Sequence, residues 1–331
     1  MPVVPELWLP PGYEARLSDH ERDVHEAAAQ MSLADCMEEN IERSVTDLAN
    51  GKQMGMVDLR HDEEADTSEA LVMPLPYANG FGPAMRIRAR YIQAAMDIPR
   101  RMLVFPNNTL TETWYDLDPA QEASIDLADG ILETLAKNGI KKAHIIGFSQ
   151  AAMVGAKMLY RSSGDIDFTG SILGDAPNVD WRTEKELQKD FTRGGIAPLN
   201  KAINDSGLPA LSEAQHSRGG FDGVRQLLGF AKFVAGGKLR QANRALHSSM
   251  ADNDFVTDLE FAQLAGMDLS SLQLFRFAES LIATDELDHQ YVLAKMAGRL
   301  SAKFEVVPGY GHEGFDNVPL AAHKSRKAIE G

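Results

Sequence analysis

The sequence predicts an α/β fold, in which a mostly parallel central sheet is flanked by helices and carries an inserted helical lid. Two observations lead to this prediction. Short apolar runs of strand length alternate with segments of helical spacing over residues 53–178 and again over 270–307. Between them, over 179–269, the alternation stops, and this stretch with its repeated glycines is too long for a plain loop. A chain of 331 residues can hold one large α/β domain with such an insertion.

The predicted organisation has three parts. The α/β core comprises residues 51–178 and 270–331, the lid comprises 179–269, and residues 1–50 form an N-terminal helical extension. In the extension, apolar residues recur every three to four positions, and a second helix is expected to run to about Ala49. We expect these helices to pack on the outside of the sheet. An oligomer contact and a cover over a binding site are the alternatives.

Each element of the core has its own signal in the sequence. Apolar runs bounded by glycine, proline or polar residues predict strands at 53–59, 70–76, 101–106, 143–147, 168–174, 272–278 and 303–307. Apolar residues spaced by three and four predict helices at 86–96, 119–137, 150–161 and 285–300. Thr284 stands at the position of an N-cap for the last of these helices.

The composition indicates a globular protein with an acidic surface. Apolar residues make up 44% of the chain and charged residues 24%, and no apolar run approaches the length that crosses a bilayer. The N-terminus lacks the pattern of a secretory signal, so we expect a cytoplasmic location. The formal net charge of −15 disfavours binding to nucleic acid or to anionic membranes. A small, neutral or weakly polar substrate is the expected partner, and a homo-oligomer remains open.

The most informative stretch is the strand–turn–helix pattern around Ser149. An apolar run ends at Gly147, and small residues such as Ala151 and Gly155 open the helix that follows. A serine on so tight a turn needs small neighbours, because the strand and the departing helix nearly touch there. Ala151 stands where the common G-x-S-x-G pattern has its last glycine, a departure of one methyl group. The pattern predicts a nucleophile elbow.

A serine hydroxyl becomes a good nucleophile when a base takes its proton, and the base is usually a histidine held by a carboxylate. His312 follows the last predicted strand in a glycine-rich loop. His144 lies in the strand before the elbow and is expected to be a core or sheet-edge residue, and His289 lies on a helix. His312 is therefore the favoured base, and the chain order is serine, carboxylate, histidine.

Over roughly residues 53–325 the chain resembles the α/β-hydrolase superfamily. The motifs that carry the resemblance are Gly80-Phe81-Gly82, Gly147-Phe148-Ser149-Gln150-Ala151 and Gly309-Tyr310-Gly311-His312. The resemblance implies the α/β-hydrolase fold, with Ser149 as nucleophile and His312 as general base and then acid. It also implies an oxyanion hole made by the backbone N–H groups of Phe81 and Gln150.

The resemblance further implies a triad carboxylate in the turn after the strand that ends near Ala278. Glu279 fits that place and is the predicted acid. Asp285 is the alternative, although its place in the first turn of a helix is explained by the helix dipole alone. Asp288 and Asp175 are weaker candidates.

The predicted activity is that of a serine esterase or lipase-like hydrolase that cleaves a carboxylic ester through an acyl-enzyme. Thioesters, amides and C–C bonds are cleaved by the same constellation, and a non-catalytic binding or scaffolding protein of this fold is the alternative from another class. No histidine spacing typical of a metal site occurs, and the glycine pairs lack the context of a dinucleotide site. We therefore expect neither a metal nor a cofactor.

Overall fold

The strands that the structure describes form one mixed sheet. The computed structural model describes residues 7–37, 41–60, 68–75, 81–106, 123–162, 164–177, 197–216 and 255–331. Its strands are β1 Glu42–Asp47, β2 Gln53–Leu59, β3 Glu69–Pro74, β4 Arg101–Phe105, β5 Lys142–Phe148, β6 Asp167–Phe168, β7 Ile172–Gly174, β8 Gln273–Phe277 and β9 Lys303–Val307. In the described residues, the sheet order is β1-β2-β4-β3-β5-β7-β8-β9, and β6 pairs with β5. The pairs β1–β2 and β2–β4 are antiparallel, and the others are parallel.

Helices cover both faces of the sheet. They are α1 Asp19–Gln30, α2 Leu33–Met37, α3 Pro83–Ala94, α4 Ala123–Lys137, α5 Gln150–Arg161, α6 Ala197–Asp205, α7 Pro209–His216, α8 Phe255–Leu264, α9 Asp285–Met296 and α10 Val318–Glu330. One apolar cluster joins α4, α5, α8 and α9 to the sheet, and a second joins α3, α7, α10 and the residues before α1. Burial on both faces explains why the central strands read as continuous apolar runs. None of the helices in the described ranges has the length and hydropathy to cross a bilayer.

Most predicted core elements are present, with three differences. The second N-terminal helix ends at Met37 instead of continuing to about Ala49, and Glu42–Asp47 is an edge strand that pairs with β2. The predicted strand 168–174 is divided into β6 and β7, because Gly170 between them has a φ of +62° and lies against the backbone of α10. The helix α10 was not predicted from the sequence.

The insertion predicted over 179–269 falls only partly on the described residues. Its described parts contain α6, α7 and α8, so they are helical as expected. Helix α8 packs on α5, and its side chain Leu259 is fully buried in the cluster of that face. The role of this region as a lid stays a prediction.

Buried polar side chains join the N-terminal helix α1 to the C-terminal helix α10. One carboxylate oxygen of Glu21 accepts a hydrogen bond from Nδ1 of His323 at 2.8 Å, and the other accepts one from the backbone N–H of Ser18 at 2.8 Å. Both the Glu21 and the His323 side chains are almost completely buried. Burial alone would raise the pKa of Glu21, but these hydrogen bonds outweigh it and lower the pKa to about 2.

We expect Glu21→Gln to destabilise the fold at neutral pH by about 1–3 kcal/mol, because the buried His323 loses its charged acceptor. A carboxylate whose pKa is depressed contributes stability above its ordinary pKa and loses it as the pH falls toward the depressed value. The stability difference between wild type and variant, measured by urea unfolding, should therefore be constant from about pH 7 to about pH 5 and shrink as the pH falls from about 5 to about 3. Asp23→Asn, which removes an exposed carboxylate of the same helix, is the control. If the free-energy difference between wild type and Glu21→Gln stays constant as the pH falls from about 5 to about 3, the depressed pKa of Glu21 does not stabilise the fold.

Candidate active site

Ser149 alone makes the turn between β5 and α5. The strand ends at Phe148, the helix begins at Gln150, and Ser149 has a φ of +57° and a ψ of −133°. Its backbone N–H donates a hydrogen bond to the carbonyl oxygen of Gly174, at the end of β7, over 2.9 Å. The predicted nucleophile elbow requires a serine in this kind of strained backbone conformation.

The small residues around the turn are needed for its close packing. A Cβ atom on Gly147 would lie 2.7 Å from the carbonyl oxygen of Ala151 and 2.9 Å from a methyl group of Leu173. On Gly155 it would lie 2.5 Å from the same leucine side chain. The methyl group of Ala151, in contrast, is completely buried, so the site accepts alanine where the common pattern has glycine.

Asp175 repeats at the end of β7 the strained backbone that Ser149 has at the end of β5. Its φ is +49°, and within the described ranges these two are the only residues other than glycine with a positive φ. Strands β5 and β7 are parallel neighbours with Phe148 paired to Gly174, so both residues leave the sheet side by side at its carboxyl edge. Strained positions of this kind concentrate at functional sites.

The carboxylate of Asp175 accepts hydrogen bonds from three groups. Its Oδ1 accepts the backbone N–H of Phe277 at 2.8 Å. Its Oδ2 accepts the hydroxyl of Ser280 at 2.7 Å and lies 2.6 Å from Nδ1 of His312. Because a carboxylate can only accept, the proton of the imidazole is on Nδ1, and Nε2 is left with the lone pair that a base needs. The Asp175 side chain is completely buried.

His312 opens the short 3₁₀ helix His312–Asp316, which follows β9. Its ring stacks on that of Phe148, with centroids 4.9 Å apart and planes inclined by 24°. Phe148 is the residue before Ser149, so the ring that contacts the imidazole belongs to the last residue of β5 before the elbow. Ser149 is buried and His312 is partly exposed, as expected of groups at the bottom and the rim of a site.

The structure places the predicted triad carboxylates elsewhere. Glu279 is exposed, and its backbone N–H donates to the carbonyl oxygen of Tyr310 at 3.1 Å. Asp285 is exposed in the first turn of α9, and Asp288 contacts Arg276. The carboxylate in contact with His312 is thus Asp175, not Glu279 or Asp285.

The predicted donors to an oxyanion are Gln150, directly after Ser149, and Phe81, which precedes α3. Gln150 is the first residue of α5, so its backbone N–H is at the positive end of the helix dipole. Phe81 lies just before α3 and packs with Phe148 against the second apolar cluster. Gly80 of the predicted loop lies outside the described residues.

The two other histidines named above, His144 and His289, each lie beside a glutamate side chain. His144 is buried in β5 as expected, with Nε2 2.8 Å from a carboxylate oxygen of Glu69, and burial lowers its pKa. His289 is exposed on α9 beside Glu286. The described part of the chain contains no cluster of three or more side chains suited to bind a metal ion.

Comparison with known proteins gives similarity at the level of structure. No protein-family model matches the chain, and no curated protein matches it. A serine hydrolase from the polyaromatic-hydrocarbon-degrading bacterium Cycloclasticus zankles is similar with a TM-score of 0.50 and 17% identity, over 87% of this chain and 97% of that one. A thioesterase domain from the curacin biosynthetic pathway has a TM-score of 0.50 and 13% identity, over 86% of this chain and 98% of that one. A variant of the esterase rPPE has a TM-score of 0.50 and 11% identity, over 95% of this chain and 89% of that one.

At these identities the similarity concerns the fold. It agrees with the mostly parallel sheet flanked by helices. The chain therefore has the α/β-hydrolase fold.

Proposed function

We propose that the protein is a serine hydrolase that cleaves a carboxylic ester through an acyl-enzyme, with Ser149, His312 and Asp175 as its triad. The observation that carries the proposal is that two residues with strained backbones follow the ends of neighbouring strands. One is a serine, and the other is a buried aspartate that is hydrogen-bonded to a histidine. Strained backbone at the ends of two neighbouring strands costs stability, and a role in nucleophilic catalysis explains why it is retained.

The first half of the reaction forms the acyl-enzyme. Oγ of Ser149 attacks the ester carbonyl while Nε2 of His312 takes its proton, and Asp175 holds the imidazole and stabilises the imidazolium. The backbone N–H groups of Gln150 and Phe81 bind the negative oxygen of the tetrahedral intermediate. The C–O bond to the alcohol then breaks, and the imidazolium returns its proton to the leaving oxygen.

The second half repeats the steps with water. His312 takes a proton from water, the hydroxide adds to the acyl carbon, and the bond from that carbon to the Ser149 oxygen breaks. The acid leaves, and the proton returns to Ser149. Each step uses only residues of this chain and invokes neither a metal nor a cofactor.

In this proposal Asp175 takes the role that the sequence suggested for Glu279 or Asp285. Its support is threefold: direct contact with Nδ1 of His312, complete burial, and two further donors that fix the carboxylate. A buried carboxylate with satisfied hydrogen bonds orients an imidazole better than an exposed one, because its position is determined by its surroundings.

The substrate that we propose is an uncharged carboxylic ester. The similar structures include proteins named as an esterase, a serine hydrolase and a thioesterase. An acyl group attached through oxygen or sulfur is common to the esterase and the thioesterase. The acidic surface favours an uncharged substrate.

We expect a fluorophosphonate probe to label wild-type protein and Ser270→Ala but not Ser149→Ala, because the reactive hydroxyl depends on the elbow. Ser270 is exposed and remote from the site in the chain, so it is the matched serine control. A series of p-nitrophenyl esters of rising chain length then gives the preferred acyl length. Absence of labelling in folded wild-type protein would instead favour a non-catalytic binding protein of this fold.

We expect Asp175→Asn to lower kcat for the preferred ester by several decades, since loss of the aspartate costs about 10⁴-fold in the best-studied triad, or about 5 kcal/mol of barrier. Glu279→Gln and Asp285→Asn should retain most of the wild-type rate, because both side chains are exposed. Circular dichroism checks that the variants are folded. A large loss in Glu279→Gln, with Asp175→Asn still active, would return the role to Glu279.

A further inference from the structure

The ring of Phe148 stacks with two other rings at the proposed site. The centroids of the Phe148 and His312 rings are 4.9 Å apart. Those of Phe148 and Phe315 are 4.6 Å apart, and the planes of these two rings are inclined by only 7°. Phe277 meets the same ring edge-on at 6.2 Å. The position between Gly147 and Ser149, which the G-x-S-x-G pattern leaves unspecified, is therefore filled by a ring in contact with the imidazole.

The turn that carries His312 and Phe315 is anchored independently of this stack. At its far end, the Asp316 carboxylate forms an ion pair with Arg88 of α3 at 2.7 Å, and its backbone oxygen accepts the hydroxyl of Ser206 at 3.1 Å. A Cβ atom on Gly314 would lie 2.5 Å from the ring of Phe277, so the turn is also pressed closely against β8. These contacts fix the backbone of the turn, whereas the ring of Phe148 contacts the imidazole itself.

The hydrogen bond to Asp175 holds His312 at one atom, Nδ1. A single hydrogen bond leaves the ring free to tilt about that contact, and a tilt moves Nε2, the atom that must reach the serine. A flat contact on the ring face restricts this motion, and the negative face of an aromatic ring also favours the imidazolium formed during the reaction. Small displacements of a catalytic group lower the rate steeply.

We propose that Phe148 is a positioning residue for His312, which holds the plane of the imidazole while Asp175 holds its Nδ1. The proposal rests on the proposed hydrolase function and deepens it. It assigns to the residue before the nucleophile a role that acts on the base rather than on the serine. It also predicts a requirement for a flat aromatic side chain at this position, because an aliphatic side chain of similar volume lacks the planar face.

The chain offers a matched control for the loss of a stacked ring. Phe304 in β9 stacks on Tyr291 of α9 with centroids 4.8 Å apart and planes inclined by 28°, nearly the geometry of Phe148 on His312. Phe304→Leu therefore removes an equivalent contact from the other apolar cluster, away from His312.

We expect Phe148→Leu to lower kcat for the preferred p-nitrophenyl ester about 10- to 100-fold at nearly unchanged KM, because a misoriented base slows the proton transfer without changing substrate binding. Phe148→Tyr should restore most of the rate, and Phe304→Leu should leave it unchanged. In spectra of isotope-labelled protein, the imidazole resonances of His312 should be broadened in Phe148→Leu and sharp in wild type, Phe148→Tyr and Phe304→Leu.

Three results would overturn the positioning role. They are an unchanged kcat in Phe148→Leu, an equal loss in Phe148→Leu and Phe148→Tyr, and a rise in KM alone, which would make Phe148 a substrate-binding wall. If the wild type neither hydrolyses esters nor reacts with the fluorophosphonate, the proposed function fails, and the comparison of imidazole resonances still decides whether Phe148 orders His312.

Discussion

The carboxylate of Asp175 is the acceptor on which the arrangement of the site depends. It joins three segments that are distant in the chain: the end of β7, the turn after β8 that contains Ser280, and the turn after β9 that contains His312. A completely buried carboxylate is costly unless it is hydrogen-bonded, so its three donors are a requirement of the fold as well as of the site. The same bonds that make its burial tolerable fix the orientation of His312.

The sheet supplies the register that this interaction needs. Because β5, β7 and β8 are parallel and adjacent, their carboxyl ends present Ser149, Asp175 and the turn after Phe277 at one edge. The positive φ values of Ser149 and Asp175 turn the chain sharply away from the sheet at the ends of β5 and β7. Glycines supply the space for the close approach: a Cβ atom on Gly174 would lie 2.0 Å from the ring of Phe275.

The features that the sequence predicts are those with a local physical signal. The nucleophile elbow needs small residues at fixed offsets from a serine, so Gly147 and Gly155 predict the turn at Ser149, and the glycine-rich loop makes His312 the predicted base. An acid needs only to follow a strand, and several carboxylates do so. Asp175 directly follows the strand next to the elbow strand, but in the sequence this position does not distinguish it from Glu279, which also follows a strand.

The strand β1, in contrast, has no local signal in the sequence that predicts a strand. Residues Glu42–Asp47 are mostly polar because the strand lies at the edge of the sheet, with its side chains largely exposed. An edge strand has little apolar alternation to distinguish it from a polar helix, so the pairing with β2, which decides its structure, is not visible in the strand itself.

The most direct test of the central claim is the proton on Nδ1 of His312, observed by NMR in the resting protein. We expect a low-field imidazole N–H resonance that is protected from exchange by the short hydrogen bond to Asp175. It should be present in wild type and in Glu279→Gln and be lost in folded Asp175→Asn. Persistence of this resonance in Asp175→Asn together with its loss in Glu279→Gln would contradict the assignment of Asp175 as the partner of His312.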